Sequence, residues 1–67
     1  MKVGDKVKHA DADRASIPAY RAMWGRLTWV SPTRSAVTVA WFCGHTGEAI
    51  GADVYPRPAY DVVVVPE

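Results

Sequence analysis

Cysteine is nearly absent from this chain: Cys43 stands alone, which excludes an internal disulfide and points to a reducing compartment, the cytoplasm. Long apolar runs are missing too. No stretch approaches the ~20 residues that span a bilayer, and the N-terminal Met1-Lys-Val-Gly-Asp-Lys-Val7 has no apolar leader core, so a soluble protein without a membrane partner is expected. Excess charge of one sign is also lacking. The net charge is +1, too small to draw the chain as a whole to a polyanion. What the composition does supply excludes disorder: 49% of residues are hydrophobic, and three Trp, three Tyr and one Phe suffice for a core. With 67 residues, that core belongs to a single domain, 1–67. A chain this short buries only about 60% of its unfolded surface, so its stability is marginal.

The charges are few but unevenly spread. Residues 1–34 carry Lys2, Lys6, Lys8, Arg14, Arg21, Arg26 and Arg34 against Asp5, Asp11 and Asp13; residues 35–67 carry Arg57 against Glu48, Asp53, Asp61 and Glu67. Strands from both halves interleave in a small barrel, so a mixed, ion-paired surface is expected rather than a basic patch.

Several chemistries lack their residues. Structural zinc needs paired Cys or His at short spacing, and Cys43, His45, His9 and Glu48 supply no such pairs, so no metal or other cofactor is expected. Nucleophilic catalysis needs a base held against the nucleophile; Cys43 and His45 share one glycine-flanked turn, where a partly buried thiol is the simpler reading. Asp11 and Asp13 lie beside Arg14 as solvated charge, and no glycine pattern cradles a phosphate. The chain is not expected to be an enzyme.

What remains is β structure. Residues 24–42, two β-rich runs around Ser31-Pro-Thr-Arg-Ser35, read as a β-hairpin. On its second strand Val37, Val39 and Trp41 share the core face. On its first strand, strict alternation pairs Leu27 with Trp29 inward, whereas a bulge points Leu27 and Val30 inward and releases Trp29 to solvent. Before the hairpin, alternation makes a first strand with Val3 and Val7 inward and Lys2, Lys6 and Lys8 outward. Residues 10–23 read as a long irregular loop with at most one helical turn over 17–22. After the hairpin come a turn at 43–47, a weak edge strand over 48–54 and a proline turn or single 3₁₀ turn at 55–60. The closing strand over 61–66 has an uninterrupted valine run that predicts apolar cover on both faces.

Five short strands in this order predict an all-β, partly open barrel with a long first loop and a 3₁₀ turn before the last strand. Val3-Gly4-Asp5-x-Val7, Gly25-x-Leu27-x-x-Val30, Val37-x-Val39-x-Trp41 and Asp61-Val-Val-Val together resemble the Src-homology-3-like small barrels, a group that includes the KOW and Tudor families. Within the group the chain looks most like a short actinobacterial family of unknown function, through Val-Gly-Asp, Gly-x-hydrophobic, Val-x-Trp and Gly-His. It departs from that family in its longer first loop and in lacking Gly-Pro-Asp near the end. Gly4-Asp5-x-Val7 and Pro18-x-Tyr20 before Gly25 are similar to the barrel domain of the nitrile hydratase β subunit. Neither likeness carries an active site to this chain. An Ala-, Val- and Arg-rich composition suits a small protein of a high-GC bacterium or its phage.

In such barrels the long first loop lies beside the 3₁₀ turn, so the resemblance implies that Tyr20, Trp24, Tyr55 and Tyr60 gather into one groove, with Trp29 as a further candidate. Rigid aromatic faces suit extended peptides. The expected function is therefore a non-enzymatic protein-interaction module that binds a protein partner by that groove or by an exposed sheet edge, with a homodimer also open to it. Two alternatives stand beside it. One is a KOW-like or cold-shock-like nucleic-acid binder using Lys2, Lys6, Lys8, Arg26 and Arg34 with Trp24 and Trp29. The other is an accessory barrel subunit of a larger enzyme.

Overall fold

A computed structural model describes residues 1–12 and 22–66. Six strands follow one another: β1 (Lys6–His9), β2 (Trp24–Val30), β3 (Ala36–Phe42), β4 (Ala49–Ala52), β5 (Arg57–Pro58) and, after a 3₁₀ turn over Ala59–Asp61, β6 (Val62–Val64). All pairings are antiparallel, in the order β4-β3-β2-β1-β6, and β5 pairs β3 off that path. The sheet is not closed, which leaves β4 and β6 as edges. This is the all-β, partly open barrel expected, with a 3₁₀ turn before the closing strand; the helical turn expected over 17–22 lies outside the described residues, except for Ala22.

The β2–β3 hairpin holds the barrel together, and its turn is built from side-chain caps. Ser31 Oγ accepts the amides of Ser35 and Ala36, both at 3.1 Å, while the Arg34 amide donates to Ser31 O at 2.8 Å. Arg34 takes a left-handed φ of 60° to close it. Beyond the turn, Leu27 pairs Val39 but Trp29 pairs Thr38, so Thr28 is an extra residue. Its hydroxyl meets that of Thr38 at 2.7 Å. The bulge settles the orientation that alternation left open: Leu27 is buried, Val30 packs on the core and Trp29 is 42% exposed.

Among the described residues one cluster forms the core: Val7 of β1, Leu27 of β2, Val37, Val39 and Trp41 of β3, and Val62 of β6. Each buried Val or Leu contributes about 1.5–3 kcal/mol, so four strands are tied to one another through a handful of side chains. Three expectations need correction. Val3 is exposed, because Lys2-Val3-Gly4-Asp5 is a turn with Gly4 at φ 93° and the strand begins only at Lys6. Val63 and Val64 are exposed: Val63 turns outward with Lys8, Val64 lies at the end of the strand, and among the described residues β6 has a strand on one side only. The proline segment does contribute a strand: Arg57 and Pro58 pair Val37 and Ala36, at a barrel margin where the missing proline N–H is tolerated.

Candidate functional site

The corner between β4 and β5 is organised by a single carboxylate. Asp53 Oδ2 accepts the Val39 amide at 3.1 Å and Arg57 Nε at 2.7 Å; Oδ1 accepts the Trp41 indole at 3.2 Å and Arg57 Nη2 at 2.6 Å. The Asp53 amide donates in turn to Val39 O at 2.9 Å. The Arg57 guanidinium also lies 5.0 Å from the Trp41 ring, on which His9 stacks at 4.1 Å and 3°. Burial pushes the Asp53 carboxyl up, but the hydrogen bonds of Arg57 and Trp41, the Arg57 charge and the Val39 amide outweigh it and hold the group below its usual range. Burial, followed by the Arg57 charge, lowers the pKa of His9, against the pull of Asp53 and Asp61.

This clamp fixes residues 53 and 57 and leaves what lies between them in water. Val54 is 84% exposed and Tyr55 81%, and Tyr60 on the 3₁₀ turn is 80% exposed. Alongside runs β4, Ala49-Ile-Gly-Ala52, exposed along its whole length and with Ile50 56% exposed. Natural edges are commonly blunted by lysine, proline or an inward charge. β4 carries none of these.

The expected aromatic residues divide. Tyr20 lies outside the described residues. Trp24 sits opposite Phe42 and stacks on it at 4.6 Å, with Lys6 Nζ 5.0 Å and the Arg26 guanidinium 5.5 Å from its ring. Tyr55 and Tyr60 flank β5, which pairs Val37 and Ala36 at the opposite end of β3. Phe42 lies five residue steps along the strand from Val37, about 17 Å, and no ring contact joins Trp24, Trp29, Tyr55 and Tyr60 to one another. Trp29 stands alone beside the bulge. Asp53 was not singled out in the sequence: one carboxylate four residues before an arginine reads as a surface pair, and only the strand pairing shows that it also caps β3.

On the outward face of β1 and β2, Lys6 stands opposite Arg26 and Trp24 opposite Phe42, with Lys8 on the same face by strand alternation; Arg26 Nη1 donates to Gly4 O at 3.2 Å. The segment Cys43-Gly-His-Thr-Gly47 is the turn expected, closed by the Gly47 amide on Cys43 O at 2.8 Å. Hydrogen bonds from the Thr46 side chain, then from the backbone of Thr46 and His45, hold the Cys43 thiol below its usual range. Among the described residues no cluster of His, Cys, Asp and Glu has the geometry to hold a metal ion, and no helix is long and apolar enough to cross a membrane. A pocket of about 220 Å³ lined by His9, Asp11, Arg57 and Asp61 opens near the far end of β1. Comparison of the chain with protein-family models, with curated proteins and with solved structures finds no match.

Proposed function

We propose that the protein is a non-enzymatic interaction module that docks a protein partner along the β4 edge and the adjoining 53–60 corner. One observation carries this reading: the Asp53–Arg57 clamp holds Val54 and Tyr55 in solvent, beside an edge strand that bears no charge. Apolar side chains kept exposed on a fixed backbone lose little entropy on binding, and an open edge supplies main-chain donors and acceptors. This version replaces the four-aromatic groove, since Trp24 lies at the other end of β3 from Tyr60. A larger enzyme that carries the barrel as an accessory subunit, or a second copy of the chain, would use the same edge. Action in the cytoplasm belongs to the same proposal and rests on the lone Cys43.

Selection of a displayed library of extended peptides against the immobilised protein tests it. Wild type is expected to recover apolar sequences whose binding is lost to Ile50→Lys and to Tyr55→Ser, each still folded by circular dichroism. Recovery no better from wild type than from Ile50→Lys would sink the edge reading. A doubled mass in size-exclusion chromatography, returned to monomer by Ile50→Lys, would identify the partner as a second copy.

A further inference from the structure

The pocket of about 220 Å³ near the end of β1 adjoins the docking corner: Arg57 belongs to both, and Asp61 directly follows the exposed Tyr60. Its volume lies below the roughly 300–1,000 Å³ of sites that enclose a whole small molecule, and suits one long side chain. The described lining is His9, Asp11, Arg57 and Asp61, so the wall is polar and an uncharged apolar side chain has little to gain there.

The charges of this lining divide into two groups. Arg57 is held by Asp53 through both Nε and Nη2, so that pair is neutral as a unit. Burial and the Arg57 charge keep His9 below its ordinary pKa of 6.5, and it is uncharged at pH 7. There remain the carboxylates of Asp11 and Asp61, far apart in sequence and brought to one pocket where the Ala10 amide donates to Asp61 O at 2.9 Å. Among the described residues neither carboxylate forms an ion pair or a hydrogen bond. We infer that the pocket receives a cationic side chain, lysine or arginine, from the partner segment docked at the corner, so that this segment is apolar with a basic residue at one fixed place.

Two carboxylates on one cleft focus a field of a single sign, and Lys or Arg carries its charge on a flexible apolar stem that can leave the edge and still reach the cleft. Other occupants fit less well. An anion meets Asp11 and Asp61 and finds Arg57 already bonded to Asp53. A metal ion lacks donors, since among the described residues no cluster of His, Cys, Asp and Glu is arranged to hold one.

The inference rests on docking at the β4 edge and the 53–60 corner, and it adds the charge of the partner. The test is a selection from the same peptide library on wild type, Asp11→Asn and Asp61→Asn, each checked for folding by circular dichroism. Wild type is expected to enrich Lys or Arg at one position among apolar residues, and both variants to recover apolar sequences without that enrichment. A peptide recovered on wild type is then made with Lys or with norleucine at that position and followed by fluorescence anisotropy. The Lys form is expected to bind wild type about fivefold tighter, the size of a partly exposed ion pair, and Asp61→Asn no tighter than the norleucine form. Binding of apolar peptides with no basic position, or a Lys preference that persists in folded Asp11→Asn and Asp61→Asn, overturns this inference alone. Recovery of no peptide sinks the docking reading and this inference with it.

Discussion

Asp53 does more than pair with one arginine. It caps β3 through the Val39 amide, orients Trp41 through the indole, and neutralises Arg57. Asp53→Ala removes the acceptor of the Val39 amide and the Trp41 indole and the carboxylate beside Arg57, and is expected to cost about 2–3 kcal/mol in urea unfolding. The pH dependence follows from the two shifts. Asp53 has a lowered folded pKa, so its contribution is complete above the unfolded Asp value of about 3.9 and is lost as pH falls through the folded value. His9 is also lowered, so the unfolded chain takes up its proton first and stability declines as pH falls below about 6.5. Acid unfolding is thus expected to begin near pH 6.5 and steepen below about 4. His9→Phe, which keeps a ring on Trp41, is expected to remove the first phase and Asp53→Ala the second. A first phase that persists unchanged in His9→Phe would show that another group carries it.

At the scale of elements, the hairpin depends on two local departures from regular strand. Gly25 lies across from Trp41, and a Cβ there would overlap Val39 Cγ1 and come within 2.9 Å of Ala40 O. Gly25→Ala is expected to lower stability by about 1–3 kcal/mol or more, read from the same unfolding curves. The Thr28 bulge releases Trp29, so Trp29→Phe is expected to remove most of the iodide-quenchable fluorescence while moving stability by no more than about 0.5 kcal/mol. Both elements also mark how far the sequence could be read. Val37, Val39 and Trp41 alternate without interruption, so the core face of β3 was legible. Leu27-Thr-Trp-Val30 satisfies two registers equally, and only the partner strand chooses between them. β5 was hidden because Pro56 and Pro58 are counted against strands, a penalty that lapses at a barrel margin. The exposed β4 edge was legible from Gly51, but the aromatic groove was not, since strand register, and not the number of rings, decides which rings meet.

Among the described residues one apolar cluster joins the strands. Val7, Leu27, Val37, Val39, Trp41 and Val62 come from β1, β2, β3 and β6, so no subset of strands keeps a buried cluster alone. Unfolding is therefore expected to be a single transition, with far-ultraviolet circular dichroism and tryptophan fluorescence sharing one midpoint. Separate midpoints would mean that the β4–β5 corner melts independently of the core. Val62→Ala, on the edge strand β6, is expected to lower that shared midpoint by several degrees, at about 1–3 kcal/mol.

The pairing of β1 with β6 has a topological consequence. Val65 donates to Lys6 O at 2.8 Å, so two residues 59 positions apart in sequence are hydrogen-bonded neighbours in space. A few residues of flexible linker between the two strands would connect them without disturbing a backbone bond of the core. New ends could then be cut in the 31–35 turn, which is held by serine side chains and buries nothing of the core. Such a circular permutant would keep every strand pair while making the β2–β3 hairpin, now the most local contact in the chain, the most distant one. Its folding rate would then report how much of the normal route begins at that hairpin.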